Sequence, residues 1–167
     1  KPIIAAVNGF CTAGGMEMLC GTDIRIACPE ASFAVMEPKR GLFAGGGTTV
    51  RLPRQIPFAL AMEFLLCADL IPGRSWVHLP VTMGLVNQIV PKDRLLDAAL
   101  EMARRITVNA PLAVQATKES VLRGMFLNYE GALALESELS SKVFQSEDAK
   151  EGPKAFAEKR APVWKGR

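Results

Sequence analysis

Short apolar runs separated by turn residues fill the first part of the chain and predict strands. Residues 3–7 are continuously apolar and end at Asn8-Gly9, a pattern typical of a buried strand. Residues 23–28 alternate polar and apolar positions, as a half-buried strand does, and residues 32–35 predict a further short strand. Glycines precede residues 16–20, whose composition suits a short helix. The pattern therefore predicts strands and short helices in alternation.

Helical patterns account for most of the remaining chain. They cover, in order, residues 58–66, 95–106, 111–122 and 130–144, with a last helix after Ser146. Pro57 and Pro111 suit first-turn positions of helices. Ser146, and Thr48 or Thr49, can each cap the N-terminus of the helix that follows.

The change from alternating elements to helices comes near Pro91. Residues 85–90 predict a last strand, which this proline ends. Residues 69–83 follow neither the helical nor the strand period. We therefore predict a β/α region over residues 1–91 and a helical region over residues 92–167.

Composition and charge narrow the classes of function. Hydrophobic residues make up 49% of the chain, which is enough for a sizeable core. The 20 Lys and Arg against 17 Asp and Glu give a net charge of +3, too small and too scattered for a nucleic-acid surface. No apolar stretch approaches the roughly 18 residues that a membrane span needs, and no signal peptide follows Lys1. We therefore expect a cytoplasmic protein that binds neither nucleic acid nor membrane.

The cysteines do not form a metal-binding pattern. Cys11, Cys20, Cys28 and Cys67 match neither C-x-x-C nor zinc-ribbon spacing, and His78 is the single histidine. We therefore expect no metal site. Buried, reduced thiols of a cytosolic protein explain these residues better.

Glu17 follows a pair of glycines that can approach a ligand closely. A glycine before a helix leaves unpaired N–H groups facing outward, and the helix dipole adds positive potential there. Such a place can hold a developing oxyanion. Glu17 is three residues beyond Gly14, about one helical turn, so it returns to the same side. Close helix packing would require the same glycines, so this segment alone leaves both explanations open.

Glu37 ends a predicted strand and stands before a glycine-rich loop over residues 41–47. Taken alone, a solvated or helix-capping glutamate fits that position. Gly45-Gly46-Gly47 lacks the lysine of a phosphate-binding loop, since Thr48 stands in its place, and this disfavours a nucleotide site. Together with Glu17, however, Glu37 forms the pair of carboxylates that acid/base catalysis on a polarised carbonyl needs.

The order and spacing of these segments resemble the enoyl-CoA hydratase/isomerase (crotonase) family. The similarity runs through nearly the whole chain apart from residues 69–83. The similar segments are residues 1–9, 13–17, Asp23, 33–37, 41–52, 84–87, 116–120, 151–152 and 155–160. The resemblance implies an α/β fold of the crotonase (ClpP/crotonase) type, a spiral of ββα repeats followed by a helical C-terminal trimerisation region.

The resemblance also implies roles for particular residues. Gly14 would supply an N–H of the oxyanion hole that holds the thioester oxygen. Glu17 and Glu37 would hold one water and add it across the double bond of a 2-enoyl-CoA, with Glu17 helping to activate the water and Glu37 supplying the proton to the α-carbon. Phe156 and Lys159 would approach the CoA bound to a neighbouring subunit. An amphipathic tail helix with a solvated lysine is the alternative for these two.

The presence of both glutamates favours hydration over isomerisation. Isomerases of the family typically keep an acid/base at the position of Glu37 but not always at that of Glu17. The resemblance therefore implies an enoyl-CoA hydratase, a hydro-lyase of fatty acyl-CoA metabolism, with no cofactor beyond the CoA of its substrate. It also implies a homotrimer or a dimer of trimers. An enoyl-CoA isomerase and a non-catalytic assembly partner of a full-length paralogue are the alternatives.

The chain departs from the family pattern in three places. The family carries an N-terminal part before the position of Lys1, with the first oxyanion N–H and much of the CoA adenine pocket. We therefore expect the spiral to lack its first repeats and activity to suffer, since one oxyanion donor is worth about 3 kcal/mol. Residues 70–83 are interrupted by prolines and a glycine, which a loop insertion or a frame disturbance in the gene would explain, and Trp76 and His78 there are poor catalytic candidates. Ala44 stands where the family often has proline.

Overall fold

The computed structural model describes residues 1–72 and 84–167, which form six strands and seven α-helices. The strands are β1 (Ile4–Val7), β2 (Phe10–Thr12), β3 (Ile24–Ala27), β4 (Ser32–Ala34), β5 (Ile71–Pro72) and β6 (Gln88–Ile89). The helices are α1 (Gly14–Cys20), α2 (Thr48–Gln55), α3 (Phe58–Cys67), α4 (Leu95–Thr107), α5 (Pro111–Gly124), α6 (Tyr129–Phe144) and α7 (Glu147–Ala157). The chain divides into two compact units: a β/α unit (Ile3–Glu101), and a C-terminal unit (Met102–Arg167 with Lys1–Pro2). The boundary predicted near Pro91 stays a prediction.

The strands of the β/α unit alternate between two sheets. One sheet has the order β1-β3-β6 and is parallel throughout, with Ile4 opposite Ile24. The other has the order β2-β4-β5, in which β2 and β4 are parallel and β5 is antiparallel to β4. The chain turns from the first sheet to the second after β1 and again after β3. A hydrogen bond from the Ser32 N–H to the Gly9 carbonyl (3.2 Å) joins these two turns. Each ββα repeat thus places one strand in each sheet.

The core of the β/α unit is built from α1 and from the strands beside it. Met16 and Ile26 are fully buried and Phe33 almost so, and each contributes about 1.5–3 kcal/mol by leaving water. Both β3 and β4 are covered on both faces, as expected for strands of parallel sheets. Cys11 packs against Met16, with its Sγ 3.9 Å from the thioether sulfur. Burial raises the pKa of the Cys11 thiol to about 11, so this group stays neutral at ordinary pH.

Arg25 is a buried cation that joins four segments of the β/α unit. Arg25 is only 5% exposed. Its guanidinium donates to the Leu85 carbonyl (3.1 Å) and to Gln55 Oε1 (2.7 Å). The side chain of Gln55 in turn donates to the Cys20 carbonyl (2.8 Å), and Arg25 Nε donates to Thr22 Oγ1 (3.3 Å). Burial lowers the pKa of Arg25, but a guanidinium remains protonated in proteins. Arg25 therefore ties β3 to the ends of α1 and α2 and to the segment before β6.

The C-terminal unit is a helical hairpin with a last helix and a tail that folds back. Asp148, only 3% exposed, accepts from the N–H groups of Lys165 (2.7 Å) and Gly166 (3.0 Å). Glu151 accepts two hydrogen bonds from the guanidinium of Arg160 (2.6 and 3.0 Å), and this bidentate bond lowers the pKa of Glu151 to about 2. The tail is thereby fastened to α7. Within the described ranges, no helix is both long and apolar enough to cross a membrane.

The structure corrects several strands of the prediction. β2 was not predicted, because its three residues are too few to show a period beside the glycines that follow. The last strand is Gln88–Ile89 rather than residues 85–90, since Asn87 bonds to the backbone of Arg25 through both its N–H and its side-chain Oδ1. β5 lies at the start of the segment that showed no period. The region over residues 73–83, with Trp76 and His78, lies outside the described residues.

The predicted caps and thiols are partly confirmed. Ser146 caps α7 by accepting from the Ala149 N–H (3.1 Å), as predicted. The predicted threonine cap of α2 is wrong, because Gly47 is the N-cap and no side chain bonds there. Cys11, Cys20 and Cys28 are buried free thiols, as expected, but Cys67 at the end of α3 is exposed.

Replacing Arg25 with methionine should lower the free energy of unfolding by about 2–4 kcal/mol. The substitution leaves the Leu85 carbonyl and the Gln55 side chain without their charged donor, and each buried unsatisfied group costs about 1–3 kcal/mol. Urea denaturation measures the change. Arg104→Met, at an exposed position of α4, is the matched control and should shift stability by less than about 0.5 kcal/mol. Equal effects of the two substitutions would contradict the role of Arg25.

Candidate active site

Two neighbouring parallel strands, β2 and β4, end side by side and deliver the candidate residues. Thr12 at the end of β2 lies opposite Ala34 at the end of β4. Gly14 follows the first strand by two residues, and Glu37 follows the second by three. Because the carboxyl ends of parallel strands share one edge of a sheet, both residues emerge at the same edge, where ligands of α/β folds commonly bind.

The backbone is strained where α1 begins. Ala13 precedes the helix with φ 48° and ψ −123°, a region that non-glycine residues rarely occupy. No side chain caps α1, so the N–H groups of its first turn are available to a ligand. Strain of this kind persists only where the surroundings impose it, and it clusters at functional sites. Together with the helix dipole, these N–H groups at Gly14 make a place suited to a negative oxygen.

The carboxylate of Glu17 is held by the backbone of a glycine. The Gly46 N–H donates to Glu17 Oε1 at 2.7 Å. A Cβ added to Gly46 would lie under 3.0 Å from both carboxylate oxygens, so a side chain there would displace the carboxylate. The other oxygen, Oε2, is 4.0 Å from the position of a Cβ on Gly14 and so lies beside the start of α1. One oxygen of Glu17 is therefore fixed, while the other faces the N-terminus of the helix.

The loop that fixes Glu17 starts at Glu37. The Glu37 carbonyl accepts from the N–H groups of Arg40 (2.9 Å) and Leu42 (3.0 Å), which closes a 3₁₀ turn, and the chain then runs to Gly46. Glu37 is half-buried, and its Oε2 is a buried oxygen that has no hydrogen-bond partner among the residues described. An unpaired buried polar atom is rare in folded proteins, and a catalytic role is one of the explanations for such an atom.

An open cleft of about 510 Å³ lies along α1. Its walls are Gly14, Glu17, Met18, Gly21, Gly46 and Arg51. The structure thus brings the predicted Gly14 and Glu17 into one cleft, whereas Glu37 is not among its walls. Glu37 only begins the loop that runs on to Gly46. The sequence did not predict Arg51 as a wall of the cleft or the hydrogen bond from Gly46 to Glu17. The glycine-rich loop was the only sequence signal for these contacts, and it did not show which glycine bonds to Glu17. Among residues 1–72 and 84–167, no three His, Cys, Asp or Glu side chains are grouped as a metal site would need.

Phe156 and Lys159 lie at the end of α7 in the C-terminal unit. Phe156 is 86% exposed. Lys159 has φ 52°, the left-handed conformation that usually belongs to glycine after a helix, and the Arg160 N–H closes the turn on the Ala155 carbonyl (3.1 Å). Their predicted contact with CoA stays a prediction.

Comparison with known proteins relates the whole chain to one family. The model of a family described as enoyl-CoA hydratase/isomerase matches residues 1–167. Enoyl-CoA hydratase EchA19 of Mycobacterium tuberculosis is 46% identical over 167 residues, which are 100% of this chain and 61% of that protein. (E)-Benzylidenesuccinyl-CoA hydratase of Thauera aromatica is 40% identical over 166 residues, 99% of this chain and 63% of that protein. A solved enoyl-CoA hydratase/isomerase of Mycobacterium abscessus superposes with a TM-score of 0.93 at 45% identity, covering 100% of this chain and 68% of the other. The chain thus spans less than two thirds of the length of these curated relatives.

Replacing Gly46 with valine should turn the Glu17 carboxylate away from the loop while the fold persists. The group in the way is the flexible end of a side chain, so unfolding free energy should change by less than about 1 kcal/mol. A crystal structure of the variant locates Glu17, and a denaturation curve measures stability. The same substitution at Gly9, where an added Cβ meets nothing within 4 Å, should leave Glu17 bonded to Gly46. Finding Glu17 in place in the Gly46 variant would contradict the account of this contact.

Proposed function

Because the chain belongs to the enoyl-CoA hydratase/isomerase family, we propose that its cleft adds water across the double bond of a 2-enoyl-CoA thioester. The solved relatives confirm the crotonase type of fold. The observation that carries the proposal is the placement of Glu17, whose carboxylate is held by the Gly46 N–H beside the uncapped start of α1. That arrangement places the Glu17 carboxylate, a proton acceptor, beside the N–H groups that are proposed to bind the oxyanion.

In the proposed reaction, the two glutamates act at different carbons of the double bond. The Gly14 N–H donates a hydrogen bond to the thioester oxygen as negative charge grows on it, and the dipole of α1 stabilises the same charge. Glu17 takes a proton from water through its free Oε2, and the water oxygen bonds to the β-carbon. Glu37 gives a proton to the α-carbon as the π bond is consumed. The product is a 3-hydroxyacyl-CoA, and the pair regains its starting protonation when a proton passes from Glu17 to Glu37.

The names of the relatives support this chemistry. Both curated relatives described above are named as hydratases of CoA thioesters. A further relative, from Clostridium acetobutylicum, is named a short-chain-enoyl-CoA hydratase and is 40% identical over 160 residues. Fatty acyl-CoA metabolism and a cytoplasmic location remain proposals for this chain.

Hydration of a short 2-enoyl-CoA, followed by loss of enoyl absorbance, tests the proposal. Wild type should turn over, and Glu17→Gln and Glu37→Gln should each lower the rate about 10²–10⁴-fold, because each removes one proton transfer. Glu63→Gln, the same change at an exposed position of α3, should keep wild-type activity.

Other outcomes point to the alternatives. Isomerisation of a 3-enoyl-CoA that survives Glu17→Gln, with no hydration, would make the protein an isomerase. Absence of turnover in wild type, together with co-purification of a longer paralogue, would favour a non-catalytic assembly partner.

For the C-terminal unit we propose contact with CoA of a neighbouring subunit in a homotrimer or a dimer of trimers. Phe156 presents its ring to solvent, and Tyr129 (78%) and Phe144 (77%) are also largely exposed, so this unit offers apolar surface for association. Lys159 keeps a strained left-handed backbone although glycine would relieve it, which supports a role for its side chain.

Lys159→Gly should separate stability from binding. Glycine adopts this backbone freely, so unfolding free energy should rise or stay constant. CoA affinity, measured by calorimetry at low salt, should fall about threefold to fivefold, since an exposed ion pair is worth up to about 1 kcal/mol. Lys159→Arg keeps the charge and should bind as wild type does. Unchanged affinity in the glycine variant would show that Lys159 does not contact CoA.

A further inference from the structure

The turn that begins at Glu37 is closed by hydrogen bonds within itself. The Glu37 carbonyl accepts two backbone hydrogen bonds, and the Gly41 N–H donates to the Pro38 carbonyl (3.2 Å). The backbone donors and acceptors of the turn all lie within residues 37–42. These bonds therefore fix the shape of the turn but not its direction relative to the sheet.

An ion pair joins this turn to a different part of the β/α unit. Lys39 lies within the turn, and its Nζ is 2.5 Å from Asp69 Oδ1. Asp69 follows α3 and precedes β5, which pairs antiparallel with β4 so that Phe33 lies opposite Ile71. Continuing that register puts Asp69 beside the residue that follows β4, close to the place where Glu37 begins the turn. The ion pair therefore fastens the turn to the strand next to β4.

The ion pair can set the direction of the turn without touching a ligand in the cleft. In the part of the chain that the structure describes, no other hydrogen bond or ion pair joins residues 37–42 to another element. Neither Lys39 nor Asp69 is a wall of the cleft along α1. Both lie outside the segments that resemble the family, so the resemblance assigns neither of them a role. What the pair holds is the turn that carries Glu37.

We propose that Lys39 and Asp69 are positioning residues that hold the carboxyl group of Glu37 where it can protonate the α-carbon of the substrate. Their side chains are 47% and 71% exposed, so water and salt screen the attraction. The pair is therefore worth at most about fivefold in a rate, which corresponds to about 1 kcal/mol. This proposal rests on the proposed function, because that function gives Glu37 the proton for the α-carbon.

Steady-state hydration of a short 2-enoyl-CoA tests the proposal. Lys39→Met and Asp69→Asn should each lower kcat about threefold to fivefold. KM should stay constant, because the walls of the cleft are unchanged. The double variant should lose no more than either single variant, since both substitutions remove the same contact. Lys39→Arg keeps the charge and should keep the wild-type kcat.

Amide hydrogen exchange gives a readout that does not depend on the reaction. The N–H groups of Arg40 and Leu42 bond to the Glu37 carbonyl, and they should exchange about threefold to fivefold faster in Lys39→Met because the turn opens more often. Lys92→Met is the matched control. Lys92 is an exposed lysine in another 3₁₀ turn of the β/α unit and makes no ion pair with a described residue, so kcat and exchange should both stay at wild-type values.

Three results would overturn the role of the pair: a changed KM with constant kcat, additive losses in the double variant, or equal losses in Lys92→Met. The two readouts also separate this proposal from the proposed reaction. Faster exchange in Lys39→Met of a protein that does not hydrate enoyl-CoA would overturn the reaction alone. Hydration with unchanged kcat and unchanged exchange in Lys39→Met would overturn the role of the pair alone.

Discussion

The geometry of the β/α unit depends on the buried guanidinium of Arg25. It fixes Gln55 at the C-terminal end of α2 and, through that residue, the carbonyl of Cys20 at the end of α1. The other end of α2 follows the loop whose Gly46 N–H binds Glu17. The C-terminal end of α2 is therefore held by the hydrogen bond between Gln55 and the buried guanidinium of Arg25. The loop before its N-terminal end is held by the hydrogen bond from the Gly46 N–H to the Glu17 carboxylate. Since α2 also carries Arg51, the two charged walls of the cleft take their positions from these two contacts. A buried charge of this kind is tolerated only because its donors are satisfied by well-placed acceptors.

Glycines mark the places where charged side chains need the space of a missing Cβ. The carboxylate of Glu17 takes that space at Gly46, and the guanidinium of Arg51 takes it at Gly47, whose φ of 100° also excludes most other residues. The loop is thus rich in glycine for two different reasons at adjacent positions. Neither reason is phosphate binding, which agrees with the absence of a lysine after the glycines. The same loop places two charged groups of opposite sign in one cleft without pairing them, which leaves both available to a ligand.

Much of this fold follows from local patterns, and the rest depends on contacts far apart in sequence. Apolar runs and alternation predicted β1, β3 and β4, and prolines and Ser146 predicted where helices begin, because these signals are local. Strand β2 was missed because three residues carry no period, and the threonine cap was wrong because Gly47 adopts a left-handed backbone that pattern alone does not reveal. Gly14 and Glu17 could be predicted as neighbours because one helical turn joins them. The bond between Glu17 and Gly46 spans 29 residues, and no spacing rule predicts such a contact.

Three unfavourable local features lie at residues for which function is proposed, whereas the left-handed backbone of Ala68 and the unpaired buried Oγ1 of Thr48 have no proposed role. Ala13 is strained before Gly14, the proposed oxyanion donor, and Glu37 leaves a buried oxygen unpaired. Lys159 occupies a glycine conformation beside the exposed ring of Phe156. The side-chain caps of α6 and α7, the buried apolar side chains and the hydrogen bonds of Arg25 agree with one another, as expected of a sequence that specifies one fold. Folding alone would favour glycine at positions 13 and 159 and a shorter or neutral side chain at position 37. Residues that reduce stability while fitting a reaction are candidates for a role in that reaction, and these three lie at the proposed oxyanion site, in the proposed acid/base pair and at the proposed CoA contact respectively.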